Sequence, residues 1–359
     1  MGTEILPMTD PSEEDESVRS QLDLFEVLEP DPRKKNPFSN TLDLYDALPK
    51  YNFDSKETEN VQDAQAVRSV KVNGQDYLVK IVPAMIKRGN RNVMIFPGAR
   101  EELVEKALRK FVVDGQGKVQ GGEVGVTFTL YQLYNELSSH GRTYSYQEIA
   151  EAIDVCQGSR IEVSTNAGQS VVKSQLFPTV ALTTRQEYIE SSGNAKCFVK
   201  FNPLVTDSII NLTFRQYNYQ LGMSISSQLA RYMHERMSHY WIQASADHPY
   251  TISLISYLEQ SGRGLSKLMS DNIRAMTRAL ESLIEHEIVS HYEQERLKEG
   301  RKIIDVRYTI FPHEKFVKQM IQNNQRYSSV QMQAIRKGLA GKEKAIAGAR
   351  GGKKVAKEA

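Results

Sequence analysis

Apolar residues recur along the chain at two spacings, and the change from one spacing to the other marks the elements. Alternation over residues 70–82 and 91–96 predicts strands, and a spacing of three or four residues over 100–112 predicts a helix. Further strand-like runs lie at 160–164, 171–183 and 196–205. The first folded unit is therefore expected to combine helices with strands on both sides of them.

Two capping boxes place helices between those strands. Thr129 with Gln132, and Ser145 with Glu148, have the residue types that cap a helix start from both directions. We expect the two helices to run to about residues 140 and 155, separated by a tight turn. Helix, turn, helix and then a β-hairpin is typical of a winged helix.

A second series of elements follows in the same order. Helical spacing predicts helices over 226–242, 251–259 and 270–288, an alternating run predicts a strand over 303–310, and a closing helix is expected over 313–323. The two series are similar in element order and not residue by residue. We therefore expect an α+β protein with two tandem winged-helix domains and disordered N- and C-terminal tails.

Composition supplies the boundaries between these units. The first twenty residues are rich in Glu, Asp, Ser and Pro, which is typical of disorder, and a proline-rich linker follows them. The expected division is an acidic head with its linker over 1–40, a segment docked on the body over 41–69, winged-helix domains over 70–212 and 213–328, and a basic Ala/Gly/Lys tail over 329–359.

Charge is segregated, although the 359-residue chain has a net charge of only +2. Residues 1–31 contain ten acidic residues and one basic residue, whereas residues 336–359 contain eight basic and two acidic residues. The stretch between them is mildly basic. This distribution favours a polyanionic partner, although each terminus alone is also typical of a solvated tail.

The helix over 270–288 is the strongest candidate for reading double-stranded DNA. One face is apolar, while the other is basic and polar in its first half and acidic in its second half, as suits a helix whose first half enters the major groove. Arg can bind guanine and Asn can bind adenine through paired hydrogen bonds. The candidate base readers are Asn272, Arg274 and Arg278, and the candidate phosphate contacts are Arg263, Lys267 and Thr277.

The predicted second wing adds three weaker candidates for contacts to the DNA backbone or the minor groove, namely Arg301, Lys302 and Arg307. An amphipathic helix with an ordinary solvated face, and wings with solvated charges, would produce the same pattern. The turn before the helix and the hairpin after it favour DNA binding.

A single apolar cluster interrupts the acidic head. Its residues are Gln21, Leu22, Asp23, Leu24 and Phe25. A short apolar peptide in a disordered acidic segment cannot form a core of its own, so it is expected to fold on a partner surface or to dock on its own protein. The pattern matches the peptide by which bacterial proteins bind the replicative sliding clamp.

Several functional classes lack their motifs in this sequence. It has no GxxxxGK[ST] or GxGxxG, and its seven histidines include no His-x-His pair that would hold the metal of a nicking enzyme. Cys156 and Cys197 form no metal-binding pair. Neither a signal peptide nor a membrane-spanning run is visible. We therefore expect a cytoplasmic protein that is not an enzyme and that needs no metal or other cofactor.

Several segments together resemble the iteron-binding plasmid replication initiators, in particular the TrfA-like initiators of broad-host-range plasmids. The segments are Gln21-Leu-Asp-Leu-Phe25, Leu42-Asp-Leu-Tyr-Asp-Ala-Leu-Pro-Lys-Tyr51, Phe96-Pro-Gly-Ala-Arg-Glu-Glu102, Leu133-Tyr-Asn-Glu-Leu137 and Arg142-Thr-Tyr-Ser-Tyr-Gln-Glu-Ile149. The resemblance implies two winged-helix domains that bind repeated origin sites, called iterons, and promote origin opening. It also implies recruitment of the sliding clamp, the host initiator and the replicative helicase, and a possible homodimer.

Two other functions share some of these features. A winged-helix transcriptional repressor would have the same DNA-binding elements but would not need the clamp peptide. A nicking initiator would need a tyrosine nucleophile, for which Tyr217 or Tyr219 would be candidates, together with metal ligands that the sequence does not assemble.

Overall fold

Two hydrophobic cores organise the part of the chain that the computed structural model describes, which is residues 37–53, 66–72, 74–166, 168–183, 185–191 and 196–337. The fold is α+β, as predicted, and short antiparallel sheets pack against helices in two successive units.

The described chain begins with strands and one short helix. These are β1 (Phe38–Leu42), α1 (Asp43–Ala47), β2 (Ala66–Val72), β3 (Gln75–Val82), β4 (Ala84–Arg88) and β5 (Arg91–Ile95). β2 pairs with β3, and β4 pairs with β5. The alternating runs are therefore strands, but a turn splits the first run into two, and β4 was not expected.

The first winged-helix unit follows. Its elements are α2 (Ala99–Phe111), β6 (Gly117–Gln120), β7 (Glu123–Phe128), α3 (Leu130–Ser139), α4 (Tyr146–Gly158), β8 (Arg160–Thr165), β9 (Ser170–Gln175), β10 (Thr179–Ala181), α5 (Arg185–Glu190) and β11 (Cys197–Lys200). One sheet has the strand order β10-β11-β7-β6. The last strand of the unit thus pairs with the strand that precedes the helix pair α3–α4.

Both predicted capping boxes are present at the start of this helix pair. The Thr129 hydroxyl accepts a hydrogen bond from the Gln132 backbone N–H at 3.1 Å, and the Gln132 side chain accepts one from the Thr129 N–H at 2.8 Å. Ser145 and Glu148 make the corresponding bonds at 3.2 and 2.8 Å. Reciprocal capping satisfies backbone donors that a helix start otherwise leaves unpaired, so α3 and α4 begin where the sequence predicts.

The hairpin directly after α4 differs from the expected wing. β8 and β9 join the hairpin β2–β3 in a separate sheet with the order β2-β3-β8-β9. The unit is completed instead by β10 and β11, which pair with each other, and β11 also pairs with β7. Strand pairing between segments so distant in sequence depends on tertiary contacts that local periodicity does not record.

The remainder of the chain contains the second winged-helix unit. Its elements are α6 (Pro203–Ile210), β12 (Phe214–Asn218), α7 (Tyr219–Ser224), α8 (Gln228–Tyr240), β13 (Tyr250–Ser253), α9 (Leu254–Gln260), α10 (Met269–Glu285), β14 (Val289–Glu299), β15 (Lys302–Pro312) and α11 (Glu314–Arg336). The sheet order is β13-β15-β14. The winged-helix order is α8, β13, α9, α10 and then the long hairpin β14–β15. The second strand of that hairpin, β15, also pairs with β13.

Three elements in this half differ from the sequence prediction. The predicted strand run to residue 205 stops at β11, because Pro203 starts α6 and the Asn202 side chain caps it. The predicted helix over 251–259 is β13 followed by α9. β14 occupies a charged stretch for which no strand was expected, because most of its side chains are exposed.

The described residues 38–47 of the N-terminal segment pack on the body. β1 pairs with β12 over its whole length, and Tyr45 of α1 is buried in the first core. That core also includes Tyr217 and Met223. Its contacts therefore cross the predicted boundary between residues 212 and 213, and the division into domains stays a prediction.

Helix α11 belongs to both cores. Phe316 and Met320 near its start are buried in the second core, whereas Val330 and Ala334 near its end are buried in the first. The expected tail from residue 329 is thus wrong for its first residues, which continue the helix to Arg336. The apolar residues of this extension, Val330, Met332, Ala334 and Ile335, fall at mixed spacings of one and two residues, which do not give a clear helical period.

Charged side chains are buried where α2 meets α8. Arg231 of α8 is 2% exposed and donates to both carboxylate oxygens of Glu102, at 3.3 and 3.1 Å. It also donates to the Ser226 carbonyl at 2.8 Å. Lys106 bonds Glu102 and lies 2.5 Å from Glu235. These pairs join the first unit to the second.

His234, beside this interface, is completely buried. Burial lowers its pKa from 6.5 to about 3, and the positive charge of Lys106 acts in the same direction. The folded protein therefore keeps His234 neutral at pH values where the unfolded chain protonates it.

We expect this difference to destabilise the protein in mild acid. The free energy of unfolding should fall by up to ~1.4 kcal/mol per pH unit below pH 6.5 on account of His234 alone. His234→Leu should remove that part of the slope in urea unfolding between pH 7.5 and 5, whereas the control His248→Gln, at an exposed histidine, should not. An unchanged slope in His234→Leu would contradict the assignment.

Candidate DNA interface

Helix α10 is held by its apolar face and exposes its basic face. Met276, Leu280 and Leu283 are buried in the second core. Arg274 and Arg278 lie on the exposed side, and the Arg274 side chain is 60% exposed although it lies 3.4 Å from Asp271. An exposed ion pair of this kind is weak and does not prevent Arg274 from binding another anion.

Asn272 does not belong to that exposed face, and its assignment as a base reader is wrong. It is 3% exposed. Its amide oxygen accepts from the Ser266 backbone N–H at 2.8 Å, and its amide nitrogen donates to the Ser266 carbonyl at 2.9 Å. Asn272 thus fixes the turn before α10 by pairing with both backbone groups of Ser266, which is partly buried.

The turn itself carries the predicted phosphate contacts. Arg263 is half-buried and donates to the Gly264 carbonyl and the Asn272 side chain, both at 3.3 Å. Lys267 is exposed. Leu265 and Leu268 are also exposed, which the sequence reasoning missed because isolated leucines in a turn have no period.

Thr277 lies where α10 packs against the wing. Its side chain is next to Tyr308 of β15. Burial raises the pKa of Tyr308 to about 12, and the positive charge of Arg296 on β14 works against this rise. Arg296 lies opposite the buried Val306 across the two strands, so its side chain is on the same face of the wing as Val306 and Tyr308.

The wing, β14 with β15, places most of its basic side chains at or near its tip. Arg301 and Lys302 are exposed at the turn that joins the two strands. Arg307 is farther from the tip, opposite Glu295, and its guanidinium lies 3.0 Å from that carboxylate. Arg296 and Lys298 of β14 were missed as candidates, since no strand was predicted there.

The corresponding helix of the first unit has the opposite charge. The outer side of α4 carries Glu148, Glu151 and Asp154. Arg142, in the turn before it, donates to the carbonyls of Met223 and Ile225 at 2.9 and 2.6 Å. Its guanidinium is therefore used to join the two units. Of the two helices at the reading position, α10 alone presents a basic first half.

The clamp-type peptide over residues 21–25 and the basic residues after 337 lie outside the described residues. Within the described ranges, no group of three His, Cys, Asp or Glu residues could hold a metal ion, and both cysteines are buried and free. No helix in that part of the chain is long and apolar enough to cross a membrane.

No protein-family model and no curated protein matches the chain. Several solved structures match the chain. A structure of domains 2 and 3 of RctB aligns at 10% identity over 73% of this chain and 94% of its own, with a TM-score of 0.43. A second, of RctB residues 155–483, aligns at 10% identity over 76% and 98%, with a TM-score of 0.42. The Pi initiator protein in complex with iteron DNA aligns at 13% identity over 59% and 91%, with a TM-score of 0.40.

Asn272→Ala leaves the Ser266 backbone groups without partners, and should destabilise the protein by ~2 kcal/mol. We expect the folded variant to bind every duplex more weakly, with unchanged base preference, because only the mounting of α10 is disturbed. Urea unfolding and titration against a panel of single-base variants would measure both. A variant with the original free energy of unfolding and a relaxed preference at one base position would show instead that Asn272 contacts a base.

Proposed function

We propose that the protein binds double-stranded DNA through its second winged-helix unit, with α10 in the major groove and the β14–β15 wing on the backbone or in the minor groove. The exposed pair Arg274 and Arg278, one helical turn apart on a helix whose opposite face is anchored in a core, is the observation that carries the proposal.

The charges along α10 support this orientation. The acidic residues Glu281 and Glu285 lie in the last turns, so phosphates would be repelled from that end and attracted to the first half. The wing tip adds Arg301 and Lys302 as backbone contacts. Such contacts fix the register of a protein on the duplex, while arginines in the groove select the bases.

We further propose that this DNA binding serves plasmid replication initiation. The complete Gln-Leu-Asp-Leu-Phe pattern at residues 21–25 supports a contact with the sliding clamp, and the resemblance to iteron-binding initiators supports tandem origin sites. Origin opening, recruitment of the host initiator and helicase, dimer formation and a cytoplasmic location belong to the same proposal. In this role the protein acts by binding and not as an enzyme.

Substitutions on α10 and on the wing should separate base reading from backbone contact. Arg274→Ala and Arg278→Ala should each cost ~1–3 kcal/mol in binding and relax preference at one base position. Lys302→Ala should weaken all duplexes alike and reduce the salt dependence by about one counterion. Selection from randomised duplexes followed by titration would measure both effects. If the double arginine variant kept its base preference, α10 would not be the reading helix.

The replication role can be separated from repression with the clamp-type peptide. Leu24→Ala with Phe25→Ala should abolish binding to the purified sliding clamp and leave DNA affinity unchanged. A minimal plasmid carrying this gene and its flanking repeats should replicate with the original protein and fail, or be maintained poorly, with the variant. Val27→Ala with Leu28→Ala is the matched control because it removes two apolar side chains of the same head that lie outside the clamp-type pattern. Replication that does not depend on Leu24 and Phe25 would contradict clamp recruitment, and a gene and repeats that support no replication would favour a repressor.

A further inference from the structure

Two leucines are exposed directly before α10. Leu265, in the turn, is 42% exposed, and Leu268, the N-cap residue of α10, is 62% exposed. Their neighbours Met269 and Ile273 pack against the second core, whereas neither leucine belongs to that core. The burial of apolar surface is the main favourable contribution to folding, and these two side chains supply little of it.

Leu268 is also an unfavourable residue for its position. The N-cap of a helix is preferably Ser, Thr, Asp or Asn, because the side-chain oxygen accepts a hydrogen bond from a free backbone N–H. Leu268 has the extended backbone of an N-cap, with φ −96° and ψ 119°, but its side chain makes no such bond. The leucine therefore helps neither the start of α10 nor the packing of the core, which points to a role outside folding.

The turn holds both leucines at fixed positions. Gly264, with φ +73°, reverses the chain just before Leu265. On the other side of Leu265, the backbone of Ser266 is bonded to the Asn272 side chain in both directions. The Ser266 hydroxyl accepts a hydrogen bond from the Leu268 N–H at 3.3 Å. An ordered backbone of this kind reduces the entropy that is lost when the two side chains bind a partner.

The surroundings of the leucines are mainly cationic. Lys267, between them in the chain, is exposed, and the Arg274 side chain on the first half of α10 is 60% exposed. Asp271 is the one acidic residue between residues 263 and 278, and it lies 3.4 Å from Arg274. Apolar groups among cations fit a partner whose own apolar groups lie beside negative charge. The major groove of DNA is such a surface, because thymine 5-methyl groups project into it between rows of phosphates.

We propose that Leu265 and Leu268 contact the 5-methyl groups of thymines in the major groove, and thereby select A·T pairs beside the pairs that Arg274 and Arg278 select. The inference rests on the proposed binding of DNA by α10, and it names the part of the sequence preference that apolar side chains provide. Among the groups that base pairs present in this groove, the thymine methyl is the apolar one. The contact removes exposed apolar surface of both partners from water, which favours binding.

The length of α10 limits where these thymines lie. Leu268 and Arg274 are six residues apart, which corresponds to ~9 Å along a helix axis. Successive base pairs are ~3.4 Å apart. We therefore expect a thymine within about three base pairs of the position whose preference depends on Arg274, in duplexes selected from a random pool.

Deoxyuridine tests the contact because it lacks only the 5-methyl group of thymine. Each thymine of the selected duplex is replaced by deoxyuridine, one at a time. Binding should weaken by about 3- to 5-fold at one or two positions, as expected for the loss of one buried methyl group. The remaining thymines should show no change and serve as internal controls. If no position responds, the proposal is wrong.

Variants of the two leucines assign the contact to the protein. In Leu268→Ser, one of the responding positions should become insensitive to deoxyuridine, and binding to the thymine duplex should weaken by about 3- to 10-fold. Because serine is a preferred N-cap residue, this variant should unfold at an unchanged or higher urea concentration. Leu265→Ala should also make a responding position insensitive. The matched control Leu78→Ala, at a leucine of the first unit that is 40% exposed, should keep the affinity and every response.

Two sets of outcomes separate the thymine contact from DNA reading by α10. If the leucine variants weaken binding but keep every response to deoxyuridine, they act through the turn, and the thymine contact is wrong although α10 reads DNA. Leucine variants that bind the selected duplex with full affinity would also overturn the contact, and would favour a protein as the partner of these side chains. If Arg274→Ala with Arg278→Ala keeps its base preference, the proposed function itself is wrong.

Discussion

The contact between Arg231 and Glu102 is the interaction on which the arrangement of the two units depends. Both groups are removed from water, and each carboxylate oxygen accepts from the same guanidinium. The pKa of Glu102 falls from 4.5 to about 2, against the effect of burial, because Arg231 and Lys106 favour the charged form. A buried charge without its partner costs ~3–5 kcal/mol. If the two units rotated apart, either one of these charges would stay buried without a partner or both would have to be rehydrated. The direction in which α10 points is therefore set partly by residues in α2.

Two further elements reinforce this arrangement from outside. Arg109 of α2 holds Asp46 of the N-terminal segment at 2.6 Å, and helix α11 inserts side chains into both cores. The Arg326 guanidinium of α11 lies 4.3 Å from the centre of the Phe38 ring. From Arg326 to the end of the described helix is ~15 Å at 1.5 Å per residue. Phe38, near the start of the described residues, therefore packs against the helix on which those residues end.

The sequence predicts the elements whose signals are local. The capping boxes at Thr129 and Ser145 give two helix starts to the residue, and the apolar rows of α8 and α10 identify the helices of the second unit. Prediction from the sequence fails where contacts between distant segments determine the structure. The pairing of β3 with β8, which joins the two hairpins in one sheet, brings together segments 78 to 88 residues apart. Asn272 sits at a position that its polarity assigns to the solvent side, yet it is buried because the preceding turn needs an amide to satisfy both backbone groups of Ser266.

The winged-helix order of elements occurs twice, but α4 of the first unit is acidic where α10 of the second unit is basic. This difference limits how the two units could bind one duplex. A helix in the major groove lies between two rows of phosphates, so the carboxylates of α4 would be repelled there, whereas Arg274 and Arg278 of α10 would be attracted. Base reading by both units would require α4 to be basic as well. Beside α4, Arg88 of the β4–β5 hairpin lies 2.8 Å from Glu151 and offsets part of the negative charge of that helix. Because the buried ion pairs fix one unit to the other, the acidic first unit also limits the directions from which a duplex could approach the basic half of α10.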